Sequence, residues 1–169
     1  MNKVSNAPMA SAPLIYDNEG KIEWNKMWTN FCALAVKGGP PHRETKLLYQ
    51  PNTNTSSEAY LSAVNEITRA YQMLTPYQIK ETGDGWLQLK LYSPNMAKWF
   101  TNIINAENVE TQNKHRFIYV PVGDNYTIVE IKNAVTVVAK AHHYWTHRTW
   151  FAKTCIHLLN TDLEEGIWE

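Results

Sequence analysis

Apolar residues recur along this chain in two rhythms, one of period three to four and one of period two. From Asn25 to Val36 the apolar positions Met27, Trp28, Phe31, Leu34 and Ala35 fall at helical spacing, and Gly38-Gly39-Pro40-Pro41 stops the run. Thr45 to Tyr49 then reads as a short strand. Thr55 and Glu58 have the spacing of a capping box, and behind them Tyr60, Ala63, Val64, Ile67, Ala70, Tyr71 and Leu74 trace one helical face. Leu87, Leu89 and Leu91 alternate with Gln88 and Lys90, which predicts a strand with one buried and one wet face. Ser93-Pro94 opens a helix through Met96, Trp99, Phe100, Ile103 and Ile104, with proline in the first turn where its missing N–H costs least.

Phe117 to Val120 predicts a further strand, and Gly123-Asp124-Asn125 precedes the most apolar helix. Its stripe is Ile128, Ile131, Val135, Val138, His142 and Trp145, widened by Ala134, Val137 and Ala141, which predicts a central position. Residues 148–169 carry Trp150, Phe151, Cys155, Leu158 and Leu159, the pattern of one more amphipathic helix, and then the acidic Asp162-Leu163-Glu164-Glu165.

These elements repeat. Leu14-Ile15-Tyr16, a turn over Asp17 to Gly20, and Lys21 to Trp24 are echoed by Tyr77-Gln78-Ile79, a turn over Thr82 to Gly85, and Trp86 to Tyr92. Lys26-Met27-Trp28-Thr29-Asn30 is echoed by Lys98-Trp99-Phe100-Thr101-Asn102, and His42-Arg43 by His115-Arg116. Repeats are read before single elements because a repeated unit sets the whole architecture. The expectation is an α+β fold from an internal duplication of two ββαβα-like halves, 13–74 and 76–145, packed with pseudo-twofold symmetry and followed by a C-terminal helical extension. Residues 1–12, rich in Ser, Asn, Ala and Pro, read as a flexible lead, and 13–169 as a single compact domain.

Composition narrows the function classes. The chain has 169 residues, 44% apolar and 19% charged, enough to bury a packed core without a staple. Sixteen basic and sixteen acidic residues cancel, so no global field draws the protein to duplex nucleic acid or to an anionic membrane. Seven Trp and nine Tyr supply core filler and contact surface. The two cysteines, Cys32 and Cys155, have neither metal nor redox spacing, and Met1 to Pro13 lacks the apolar run of a signal peptide. A cytoplasmic location is expected, with no membrane span and no cofactor.

Three constellations are candidates for chemistry. His42-Arg43 follows two glycines and two prolines: a stiff loop there would present an imidazole and a guanidinium to a phosphate or carboxylate, but the loop matches no P-loop and the preferred reading is a helix stop and turn with both side chains solvated. His115-Arg116 stands at the corresponding place in the second half, and the two pairs either converge on one cleft or lie apart. Lys132, Thr136, Lys140, His143 and His147 form a polar stripe on the last helix of the repeat, an anion site or, by preference, a solvated basic face. His143 and His147 have metal-sharing spacing, but Tyr144 stands where a zincin motif needs its glutamate and Lys140 and Arg148 repel a cation, so no metal is expected. His142, on the apolar stripe, reads as a satisfied core histidine.

The favoured function is a binding or regulatory protein that receives a small anionic ligand or a protein partner at a cleft or subunit interface. Arg43, Arg116, Lys140, His143 and His147 are the candidate ligand-binding residues, and Trp145 or Trp150 would add apolar contact. The alternative is an enzyme acting on a phosphorylated or carboxylated small molecule, with His42 or His115 as general acid or base. A weaker alternative is a structural subunit whose C-terminal segment makes a homodimer.

Overall fold

Among the described residues, four helices are interleaved with the strands of a four-stranded antiparallel sheet. The computed structural model describes residues 13–36 and 46–147, without the side chains of 34–36 and 147. His42, Arg43, the lead 1–12 and the extension 148–169 lie outside the described residues. The chain starts with a tight turn in which Tyr16 pairs with Ile22. The Asp17 carboxylate accepts the N–H groups of Glu19 and Lys21, each at 2.9 Å, and Gly20 takes the left-handed conformation the turn demands. Helix α1 (Trp24–Val36) buries Met27 and Phe31 of the predicted face, leaves Trp28 half-buried and adds Trp24, its first residue, to the core.

Leu47 makes a single parallel bridge with Val109 where the pattern at Thr45 to Tyr49 predicts a strand. Helix α2 (Glu58–Leu74) is capped by Ser57, whose hydroxyl accepts the Tyr60 N–H at 3.1 Å, and not by Thr55. Ser57 stands directly before the first helical residue with extended backbone, which is what a cap requires. The buried face of α2 is Tyr60, Ala63, Val64, Ile67, Ala70 and Tyr71, as the periodicity predicts.

The sheet is drawn entirely from the second half. Strands β1 (Gln78–Glu81) and β2 (Trp86–Lys90) form a hairpin, and helix α3 (Pro94–Ala106) follows with Ser93 as its cap and proline in its first turn. Gly85 sits in the β1–β2 turn at φ 89°, and a Cβ there would come within 3.3 Å of the Tyr49 ring. Strands β3 (Gln112–Lys114) and β4 (Phe117–Pro121) form a second hairpin around His115-Arg116, and the sheet order is β1-β2-β4-β3. β3 has no counterpart among the predicted elements, because Gln112, Asn113 and Lys114 are all polar and all exposed and so leave no period-two signal. The second half is therefore ββαββα. In the first half two described helices stand in the same order, with a single bridge at Tyr16–Ile22 in place of one hairpin and, in place of the other, a bridge from Leu47 to Val109 of the second half.

Helix α4 (Ile128–His147) starts where Glu130 accepts the Thr127 N–H at 2.8 Å, the return half of a capping box. Every residue from Lys132 to Ala141 is buried, so α4 is covered on all sides, in agreement with the central position its composition predicts. It packs between α2 and α3, while α2 lies over β1 and α3 over β3 and β4. The Tyr71 hydroxyl donates to the Ala134 carbonyl at 2.8 Å and ties α2 to α4 inside the core, and burial pushes the pKa of this phenol upward.

The helices cover the sheet face formed by Leu87, Leu89, Ile118 and Val120, all fully buried. Leu89→Ala is expected to lower the unfolding free energy by about 2–5 kcal/mol. Lys90→Gln, one residue along on the opposite face, should change it by less than about 0.5 kcal/mol. Urea denaturation of the two variants checks this, and equal costs would contradict the assignment of faces.

Candidate functional site

Successive side chains on a strand point to opposite faces, so the register that buries Leu87, Leu89, Ile118 and Val120 defines what the other face carries. One row across the four strands reads Gln78, Lys90, Phe117, Lys114. The next reads Lys80, Gln88, Tyr119, Gln112. Gln78, Lys80, Gln112 and Lys114 are exposed, and Gln88, Lys90, Phe117 and Tyr119 are half-buried. The Gln88 side-chain amide donates to the Tyr119 hydroxyl at 2.9 Å, which confirms that the two share a face and tethers the ring.

A third row, Trp86 opposite Pro121, closes this face at one end. The Tyr49 ring stacks on Trp86 with centroids 4.5 Å apart and planes 10° from parallel. Tyr49 is held there by its hydroxyl, which donates to the Asp84 carbonyl at 3.0 Å, and by its N–H, which donates to the Glu110 carboxylate at 2.7 Å. At the other end the β3–β4 turn carries His115 and Arg116, both exposed, with His115 at φ 55°. Arg116 anchors the turn through its carbonyl, which accepts the Leu91 N–H at 2.9 Å. Neither row contains a carboxylate, and among the described residues Lys80, Lys90, Lys114 and Arg116 form no ion pair.

The polar stripe of α4 is not a solvated face. Lys132 is 7% exposed, Thr136 0% and Lys140 9%. Lys140 forms an ion pair with Glu107, which caps the C-terminal end of α3, and its ammonium lies 5.8 Å from the Tyr144 ring centre. His143 stands edge-on to Trp28 of α1, with centroids 5.9 Å apart, and the His147 side chain lies outside the described residues. Helical spacing places these residues on one face, but the elements packed around α4, with Glu107 of α3's cap at Lys140 and Trp28 of α1 at His143, decide that Lys132, Thr136 and Lys140 are internal. Burial holds the pKa of the Lys132 amine below the ordinary lysine value. His142 is satisfied as its position predicts, with Nδ1 2.7 Å from the Tyr77 hydroxyl. Trp145 is not an exposed contact residue; it packs against Trp99 at 5.4 Å between centroids and lies half-buried. The structure therefore separates Arg116 at a hairpin tip from Lys140 in the interior.

A groove of about 790 Å³ lies between the Tyr16–Ile22 turn, α2 and the start of α4. Its basic groups are committed within the protein, while Glu58 lines it without an ion pair among the described residues. Glu66 accepts from the Trp24 indole at 2.9 Å and from Arg69, whose guanidinium also donates to the Ile22 carbonyl at 2.8 Å. Lys21 is paired with Glu19 at 3.1 Å. This network fastens the first turn to α2 and leaves neither Arg69 nor Lys21 uncommitted. Among the described residues, the polar sheet face thus sets Lys90 and Lys114, which form no ion pair, on either side of the Phe117 ring. The alternation at Gln88 and Lys90 announced a wet face, but Phe117 and Tyr119 were hidden in the all-apolar run Phe117 to Val120, where only pairing with β2 sets the parity.

The internal ion pair has a measurable signature. Removing one partner leaves a buried charge, so Lys140→Met is expected to cost about 3–5 kcal/mol. Adding Glu107→Leu to that variant should recover most of the loss, and a double-mutant cycle in urea checks it. Additive costs would show the pair to be uncoupled.

No family model, no curated protein and no solved structure matches this chain, so its residues alone carry the functional argument.

Proposed function

We propose that this protein is a binding protein whose open sheet face receives an anionic partner, with Lys80, Lys90, Lys114 and Arg116 as its cationic contacts. The observation that carries the proposal is that these four cations share one face and its rim without a single ion pair among the described residues. On a chain of zero net charge, unpaired cations gathered on one side make a local positive field. Strands stand about 4.8 Å apart, so Lys80 on β1 and Lys114 on β3 are separated by roughly 14 Å across the sheet. One phosphate or carboxylate spans only part of that distance. An extended anionic partner engages the whole face and releases counterions from each contact, which makes its binding strongly dependent on salt.

The same proposal holds residues 13–74 and 76–145 to be duplicated halves related by a pseudo-twofold axis. Its support is the shared order of paired segment, helix, extended segment and helix. Superposition of α1–α2 on α3–α4 tests it.

Inorganic polyphosphate is the simplest probe of an extended anion. Binding is expected by calorimetry at 50 mM salt, and the combined change Lys80→Gln, Lys90→Gln and Lys114→Gln should abolish it without lowering the melting temperature. Lys21→Gln and Lys26→Gln, at lysines already paired with Glu19 and Glu23, should leave it intact. Undiminished binding by the triple variant would sink the assignment of the face.

A further inference from the structure

We propose, resting on the anionic-partner reading above, that the partner is single-stranded nucleic acid and that Phe117 and Tyr119 are its base-stacking platform. A bare polyanion makes use of the lysines alone and leaves two rings in the middle of a polar face unexplained. Phe117 is flanked across the sheet by Lys90 and Lys114, so one strand-to-strand row places an aromatic ring between two cations. Tyr119, one pleat farther along β4, is flanked by Gln88 and Gln112, and amides both donate and accept hydrogen bonds as base edges require. Ring faces accept any base, and ammonium groups beside them engage the phosphates that connect the bases.

Spacing selects the single strand. Residues i and i+2 of an antiparallel strand lie about 6.8 Å apart. Adjacent bases within a duplex strand are separated by about 3.4 Å along the axis. Two bases seated on Phe117 and Tyr119 must therefore be splayed away from one another, as a flexible single strand permits and a paired duplex does not. The face is also open: its two rows lie beyond the point where Tyr49 covers Trp86, and the β3–β4 turn places Arg116 at the far rim. A four-stranded sheet whose polar face carries half-buried aromatic rings among exposed Lys and Gln side chains is a physical arrangement suited to unstacked bases, whatever the connectivity of the strands. The absence of a global positive charge fits a site that gathers its cations on one face and gains the rest of its affinity from stacking.

The test is a fluorescence-anisotropy titration of the full chain with a labelled single-stranded oligonucleotide of about ten nucleotides. The same oligonucleotide in duplex form and inorganic polyphosphate serve as competitors. The single strand should bind at least about tenfold more tightly than either competitor. Phe117→Leu and Tyr119→Leu should each weaken oligonucleotide binding about tenfold, with polyphosphate binding unchanged. With four cationic contacts, raising salt from 50 to 200 mM should weaken the complex about fifty-fold. Two ring variants are used so that loss of fold in one, seen in its melting curve, leaves the other decisive. If polyphosphate binds but the oligonucleotide binds no more tightly and ignores both rings, the stacking inference is overturned while the anionic face stands. Equal affinity for duplex and single strand overturns it as well. If no polyanion binds at all, the stacking inference and the reading beneath it both fall.

Discussion

Helix α4 is buried on every side from Lys132 to Ala141, and that single constraint organises the molecule. A helix without a solvent face must be enclosed, and here α2 and α3 flank it while Trp28 of α1 meets it at His143. α2 and α3 in turn rest on the sheet through β1, β3 and β4, so the described helices gather on one side of it. The apolar residues Leu87, Leu89, Ile118 and Val120 are drawn to that side, and the alternation of the strands then delivers lysine, glutamine and two aromatic rings to the other. The candidate binding face is thus the physical complement of the core.

Enclosing α4 carries a polar cost, which is met locally. Lys140 meets Glu107 at the end of α3, the Thr136 hydroxyl donates to the carbonyl of Lys132, and the Tyr71 hydroxyl reaches the carbonyl of Ala134. A buried ion pair of this kind contributes little net stability relative to an apolar pair, but either charge alone would be costly, so the two bind α3 and α4 in one arrangement. Glu66 and Arg69 play a similar part at the surface, where they join α2 to the Tyr16–Ile22 turn. Charge in this protein therefore falls into two groups. Some ionic groups are consumed in holding elements together, and Lys80, Lys90, Lys114 and Arg116 on the polar sheet face and its rim form no ion pair among the described residues.

Several elements were legible because their determinants are local. The buried faces of α1 and α2, the start of α3 at Ser93-Pro94 and the apolar character of α4 follow from side-chain periodicity and capping chemistry within a few residues. The wet side of β2 was legible too, since Gln88 and Lys90 interrupt a leucine alternation. β3 was not, because a strand of Gln, Asn and Lys carries no apolar rhythm and exists only through its pairing with β4. The capping residue of α2 shifted from Thr55 to Ser57 because a capping box is a spacing, whereas a cap is a conformation.

What the sequence determined by itself, then, was the α+β class, the second-half elements other than β3, the central helix and the identity of the polar groups available for chemistry. Tertiary packing set which of those groups are buried or paired and which stay exposed. The stripe Lys132, Thr136 and Lys140 has the spacing of a surface face and lies inside, while Phe117 and Tyr119 sit in an unbroken apolar run and face outward. The physical reason is that periodicity sets only the angle between side chains around an element. Which angle points to water depends on what packs against that element, and the Lys140–Glu107 pair and the β2–β4 register are contacts between segments far apart in the chain.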